Sequence, residues 1–382
     1  MIYYTILTFL ILFSLLEFCG IGKMYVCKQL GVDKIAFIYI AFLLFCIAAF
    51  RYETGRDWEG YTYFFNKCLS SPYSFNFEFG FSFINRFFKT FVDNFYFMQF
   101  FIMLFCCICT YRSLYQRSEY PVFTLFLYFV MFFLQTDMAQ TRQHIAMAIL
   151  ICGLHFIDEK KIILWIVTVL LAMQFHISAL TAFPLYFTTR KEISAYVAMF
   201  FYILCLFTTF FGLSIIRGML GLTVSVGFVP ERIQTIGNAY LNSKIYGQQA
   251  KFGTGLGFLV RYGFISLMLF FYFIQKEKKS SYFLLNFLIA LLFQAMGRNF
   301  DQFGRIANYY LICGGGLCAY NLLIDCKSFF KKFGVIKLLM CTIFVLFTMY
   351  SFYSVWALSS FQGHSYRDDY TPYKSVLFED IK

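Results

Sequence analysis

Apolar runs follow one another along almost the whole chain, at approximately 3–19, 35–50, 95–111, 120–135, 143–157, 162–187, 194–216, 257–274, 281–297, 306–324 and 335–357. A hydrocarbon core about 30 Å thick takes about 20 helical residues to cross. Within it every backbone N–H and C=O needs a partner, and long unbroken apolar runs supply those partners only as helices. The composition agrees: 60% of the residues are hydrophobic and 14% are charged, against about 25% charge in a soluble domain. The chain therefore reads as an all-α polytopic integral membrane protein of about 11–12 transmembrane segments. These are expected to form a single transmembrane domain over residues 1–382. The first run lacks a basic leader and a small-residue cleavage site, so it is expected to stay as a helix.

Orientation follows from the short basic connections. Lys23, Lys28 and Lys34, Arg112 and Arg117, Lys160 and Lys161, Arg190 and Lys191, Lys276 to Lys279, and Lys327 to Lys332 are all expected on the cytoplasmic side. Lys161 and Arg190 can share that side only if 162–187 goes out and returns, and it is too short for two full spans. Gln174-Phe175-His176 in its middle and Pro184 after it mark a broken-helix hairpin, a form tolerated where it lines a polar cavity or is buried in protein. The rival reading is one tilted span with His176 at mid-membrane. With the hairpin, the loops at 51–94 and 217–256 and the tail at 358–382 all face outward. Asp137 to Arg142 and Arg298 to Arg305 face the same way.

The 13 cysteines form no Cys-x-x-Cys metal pattern, and most, such as Cys106, Cys107 and Cys109, lie in apolar runs where a free cysteine packs as a small hydrophobe, so neither a zinc site nor disulfides are expected. The net charge of +12 suits anionic head groups and an anionic substrate, and does not by itself point to nucleic acid. Gly253-Thr254-Gly255-Leu256-Gly257 lacks the alternating α/β surroundings and the Gly-Lys-Ser/Thr ending of nucleotide-binding loops.

Polar side chains gather at the outward ends. Gly55 and Gly60 allow tight turns or close backbone approach, Arg56 and Asp57 offer an anion clamp and a carboxylate base, and Trp58 and Tyr61 offer flat faces for sugar rings. An interfacial aromatic belt with surface ion pairs is the plainer alternative. Phe77-Glu78-Phe79-Gly80-Phe81 through Lys89 reads as an amphipathic helix lying on the membrane, with Glu78 near its start. Asp137 or Thr141 could cap the helix that carries Arg142 and His144 in its first turns. A charge inside a span is costly and is usually kept for function or for an internal ion pair, although Arg142 could also snorkel to lipid phosphate. His176 serves as a base, as a substrate donor, or as a packed histidine. Arg217 and Arg232 sit in a glycine-rich stretch read as a loop, with Met219 to Val229 as a re-entrant or interfacial piece. Arg298 and Arg305 flank Asp301, an arrangement suited to holding a diphosphate because the planar guanidinium matches phosphate oxygens.

Taken in order, Gly55-Arg56-Asp57-Trp58-x-x-Tyr61, Phe77-Glu78-Phe79-Gly80-Phe81, Thr141-Arg142-Gln143-x-x-Ala146-x-Ala148-Ile149, Phe175-His176-x-Ser178-Ala179-Leu180, and Arg305 before Tyr309-Tyr310 resemble the EpsG-type family of polysaccharide polymerases. That family overlaps the Wzy-type O-antigen and capsule polymerases. The resemblance implies a membrane glycosyltransferase of the bacterial inner membrane, with a helical GT-C-like architecture and an active site facing the periplasm. Its substrates would be undecaprenyl-diphosphate-linked oligosaccharides as donor and acceptor, the growing glycan passing to the non-reducing sugar of another unit. A chain-length regulator and a flippase of the same pathway are the expected partners, alongside membrane lipids. The family pattern falls on Arg56, Asp57, Glu78, Arg142, His176 and Arg305.

Transfer from a lipid diphosphate needs the leaving group stabilised and the acceptor hydroxyl deprotonated. Arg142, Arg298 and Arg305 are the diphosphate candidates, helped by Arg217 or Arg232, and this electrostatic contribution should be the largest. Asp57 or His176 is the expected general base, with Glu78 in reserve. The positive side chains replace a divalent cation, so inversion without metal or other cofactor is expected. A flippase would need a continuous polar path, whereas the charges sit mainly at span ends, Glu17 excepted. A ligase attaching finished polymer would share both chemistry and face. An O-acyltransferase would need more than His176 alone provides.

Overall fold

The structure is a computed structural model that describes residues 2–18, 25–27, 30–70, 77–189, 191–225, parts of 262–273, 279–296, 301–323, 360–361, 364–365 and 369–378. Among these residues the protein is largely α-helical, and its strands are only two or three residues long. Two helices among the described residues, Val32–Ala49 and Phe95–Arg117, are long and apolar enough to cross a membrane, and Ile2–Phe18, Pro121–Thr136 and Ile162–Met173 are among the shorter apolar helices. The expected run at 335–357 lies outside the described residues, as do Arg232 and Arg298.

The chain forms two compact units, Met1–Tyr186 with Leu323–Lys382, and Phe187–Leu322. In the first unit, Val32–Ala49 is apolar on every face beyond its first turn, which carries Asp33 and Lys34. Phe37, Ile40 and Leu44 are buried while Ile38, Tyr39 and Phe42 stay exposed, as suits a helix with protein on one side and lipid on the other. Asn94 starts the next long helix, its Oδ1 accepting from Phe97 N at 3.0 Å, which satisfies one of the orphan donors of the first turn.

Glu17, the exception among apolar interiors, has a structural task. Tyr120, which precedes Pro121, offers the next helix no side-chain cap. Glu17 supplies it from another segment, accepting from Val122 N at 3.2 Å and Phe123 N at 3.0 Å. A carboxylate at a helix N-terminus also meets the favourable end of the helix dipole.

The helix beginning at Thr141 runs to Asp158 and pairs with Ile162–Met173. Their close approach depends on Gly153, where a Cβ would lie 2.4 Å from Thr168 Cγ2. The Ile162–Met173 helix stops short of a full span. Gln174 and Phe175 form a turn, His176 is extended, and a tight helical stretch Ile177–Ala182 follows. Trp165 Nε1 donates to Phe183 O at 3.1 Å, so the second arm returns alongside the first, and the segment breaks at His176.

In the second unit, Ala195–Ser225 packs on Leu284–Met296. This corrects one boundary. The helix does not stop before Arg217 but continues through Gly218 and Gly221 to Ser225, so Arg217 lies on a helix and not in a loop. A single glycine costs a helix only about 1 kcal/mol relative to Ala, which neighbouring apolar turns outweigh. Asp301–Asn308 leads without a break into a wider turn, Tyr309–Cys313. Tyr310 of that turn lies against the ring of Phe293, at 5.8 Å between centroids.

Candidate functional site

Four segments of the first unit, far apart in sequence, converge on Arg142. The first is the turn after Val32–Ala49. Its Arg51 guanidinium is buried and donates to Asp137 O at 2.6 Å, Ala48 O at 3.1 Å and Thr141 Oγ1 at 3.2 Å. Gly55 follows at φ +108, so close to the second segment that a Cβ there would lie 2.1 Å from Met138 O. Arg51 and Gly55 together fix the 137–141 turn that presents Arg142.

The third segment is the start of Phe79–Phe91. Glu78 precedes that helix and reaches both ways. Its Oε2 accepts from Arg142 Nη1 at 2.6 Å and its Oε1 from Ile177 N at 3.2 Å. Gly80 N donates to Gln174 O at 2.8 Å, and a Cβ on Gly80 would sit 2.8 Å from that oxygen and 3.0 Å from the Phe175 ring. Glycine is what lets the Glu78 segment dock on the fourth, the His176 turn. The His176 ring is held by Ser178, with Oγ 2.5 Å from Nδ1.

Arg142 also lies over the Phe77 ring, 4.5 Å from its centroid. Tyr61 stands beside the guanidinium and feels Asp57 as well; burial first, then Asp57, pushes its hydroxyl above the ordinary value, against the pull of Arg142. The Arg142 side chain is 22% exposed and its Nε is buried with no hydrogen-bond partner among the described residues; the same holds for Trp58 Nε1. A cation with one edge anchored and a spare donor is suited to an anionic or hydroxyl-rich ligand.

Beneath the turn is a network with little trace in the sequence. Asp137 is fully buried and accepts from the Tyr111 hydroxyl at 2.6 Å and from the Tyr128 hydroxyl. His144 faces it, Nδ1 at 3.5 Å, and meets Thr110 Oγ1 through Nε2 at 3.1 Å. Burial pushes the Asp137 carboxyl up to about 7, against the pull of the two tyrosines and Arg51. Neither Asp137 nor Thr141 caps the helix: its N-cap is Gln140, without a side-chain bond. Asp137 is drawn away because a buried carboxyl gains more from two hydroxyl donors than from one cap. Asp137→Ala is expected to destabilise the protein by about 1–3 kcal/mol for each of the two orphaned hydroxyls. The thermal midpoint of the detergent-solubilised protein would register this, and Asp137→Asn, which keeps an acceptor, should cost less.

A further segment braces the site from outside. Lys374–Ser375 pairs antiparallel with Arg51–Tyr52, Val376 N donates to Phe50 O at 2.9 Å, and Gly55 N donates to Asp369 O at 2.8 Å. Lys374 Nζ reaches Glu53 Oε2 at 2.8 Å, and Tyr370 is fully buried. In the sequence, the glycine turn between Arg51 and Trp58 is the single hint that another strand docks there.

Of the other residues singled out, Arg56 is exposed, and Asp57 is half-buried at the start of Trp58–Lys67. Arg305 is half-buried on Asp301–Asn308 in the second unit, and Asp301 opens that helix. The side chains of Asp301 and Arg217 lie outside the described residues. The first unit thus brings together Glu78 and Arg142, with His176 on the adjoining turn and Asp57 one residue contact away through Tyr61.

Among known proteins, the model of the EpsG family matches residues 34–375. No curated protein and no solved structure matches the chain.

Proposed function

Since the chain belongs to the EpsG family, a family of polysaccharide biosynthesis, and is membrane-associated, we propose that it is a polysaccharide polymerase of the bacterial inner membrane. It crosses the membrane about 11–12 times and works on its periplasmic face. The donor is a growing glycan on undecaprenyl diphosphate, and the acceptor is the non-reducing sugar of a second lipid-linked repeat. A flippase supplies that repeat and a chain-length regulator acts on the product.

The observation that carries this reading is the partly buried Arg142, pinned by Glu78 to the His176 turn with Tyr61 beside it. In the reaction the bond from the sugar C1 to the diphosphate oxygen breaks, and the acceptor oxygen bonds to C1 from the opposite face. The electron pair leaves with the diphosphate and the hydroxyl proton passes to a base. Arg142 is the cation of the first unit assigned to the developing negative charge; Arg298 and Arg305, which flank Asp301 in sequence, and Arg217 or Arg232 are diphosphate candidates on sequence grounds. Fixed cations aimed at a developing charge are the largest contribution to such catalysis. Arg56 and Trp58 guide the glycan. The base is Asp57 or His176, whose ring is oriented by Ser178. Both Glu78 oxygens are engaged, so Glu78 acts by holding Arg142 and the Ile177 backbone in register rather than as the reserve base. No metal is required, and the anomeric configuration inverts.

The test uses membranes of a strain lacking the gene, resupplied with wild type, Asp57→Asn or His176→Asn at equal expression. The variant lacking the base should lose about 10²–10⁴-fold in rate and accumulate single lipid-linked repeats on the outer face. Full ladders from both variants would remove both residues from the base role. Single repeats trapped on the cytoplasmic face would instead make the protein a transporter, and unattached finished polymer would make it a ligase.

A further inference from the structure

Away from the Arg142 site, a groove of about 390 Å³ runs between Val32–Ala49 and Phe95–Arg117. Ile38, Phe42 and Phe45 form one wall, Leu104 and Ile108 the other, with Ala41 among the lining residues. Ala41 itself is buried, so a small side chain gives the groove depth. The walls are left outward-facing: Ile38 is 53% exposed, Phe42 59% and Ile108 56%.

Lys34 and Arg112 also line the groove. Lys34 lies in the first turn of its helix and Arg112 in the last two turns of the other, so in this antiparallel pair both cations stand at one end. The opposite end leads to Arg51 and Gln99. Asp33, the nearest carboxylate in sequence, is turned to the backbone, its Oδ1 accepting from Lys34 N at 2.8 Å.

We propose that this groove binds an acyl chain of an anionic glycerophospholipid, with the head-group phosphate held by Lys34 and Arg112. Three features select that occupant. An almost wholly apolar trough excludes a polar glycan. Two cations at one end complement a phosphate, for which the guanidinium fork is suited. The length fits too: Lys34 to Phe45 spans about 16 Å at about 1.5 Å per residue, close to half of a roughly 30 Å hydrocarbon core. One leaflet's acyl chain fills that span, whereas a long polyprenyl chain would overrun it. The inference does not depend on the proposed glycosyl transfer.

The test is reconstitution of the purified full-length protein in phosphatidylcholine vesicles containing a trace of either phosphatidylglycerol or phosphatidylcholine with a photoreactive acyl chain. Labelled residues are then mapped. Phosphatidylglycerol is expected to label Ile38, Phe42 or Ile108 more strongly than phosphatidylcholine does. Lys34→Gln and Arg112→Gln should each lower that preference about fivefold, the equivalent of about 1 kcal/mol per basic residue at an anionic surface. Ala41→Phe, which fills the groove, should suppress labelling by both lipids. Equal labelling by the two lipids, or a preference untouched in the double Gln variant, would overturn the proposal. So would an absence of adducts along the groove, which would mean that protein rather than lipid covers it.

Discussion

Arg142→Ala is expected to abolish the polymer ladder, lowering the rate by about 10²–10³-fold, with the protein still inserted in the membrane. The guanidinium touches Glu78, the Phe77 ring and Tyr61 together. Its removal takes away the charge proposed to meet the leaving diphosphate and also leaves Glu78 partly buried without its counter-charge. Removing one partner of a buried pair costs more than removing both. The double variant Glu78→Gln with Arg142→Ala should therefore recover thermal stability relative to Arg142→Ala while remaining inactive. Arg142→Lys keeps the charge but not the planar fork and is expected to recover only a small part of the activity. Ladders of normal length from Arg142→Ala membranes would dismiss the role assigned to this residue. Recovery of both stability and ladder in the double variant would make the pair purely structural.

Gly55→Ala should be nearly as damaging, through the backbone. At φ +108 any Cβ is strained, and here it would stand 2.1 Å from the Met138 carbonyl oxygen. Strain of this kind alone costs about 1–3 kcal/mol. Relieving the overlap would push the 51–58 turn away from the 137–141 turn and so misplace Arg142. Loss of the ladder with a lowered thermal midpoint is the expected result. Gly60 supplies the control. It lies within Trp58–Lys67, and a Cβ there would meet nothing within 4 Å among the described residues. Gly60→Ala should therefore be neutral or stabilising by up to about 1 kcal/mol. Equal damage from the two substitutions would contradict the packing described for Gly55.

The sequence carries different parts of this structure with different clarity. The helical character and the break at His176 follow from charge spacing and from Gln174-Phe175-His176 interrupting an apolar run. Glu78, Arg142 and His176 each stand out as polar groups at the edges of apolar stretches, but their meeting is not written in any local pattern. It is made by Gly80 and by the Ile177 backbone, whose partners are known only once the chain is folded. Asp137 is visible as a charge near a helix start and so suggests a cap. The tyrosines that claim it, Tyr111 and Tyr128, sit in aromatic-rich helices where a hydroxyl looks like one more ring. Arg217 reads as a loop residue because Gly218 and Gly221 resemble punctuation, which an apolar helix can ignore.

The pairing of Lys374–Ser375 with Arg51–Tyr52 has a consequence for how the protein is made. Glu53 and Lys374, joined across that pairing, are 321 residues apart. At roughly 5–20 residues per second, synthesis leaves the first strand waiting about 15 to 60 s for the second. Through that interval the turn bearing Gly55 exists without its brace, so the segment that fixes the 137–141 turn is completed only after nearly all of the chain has been made.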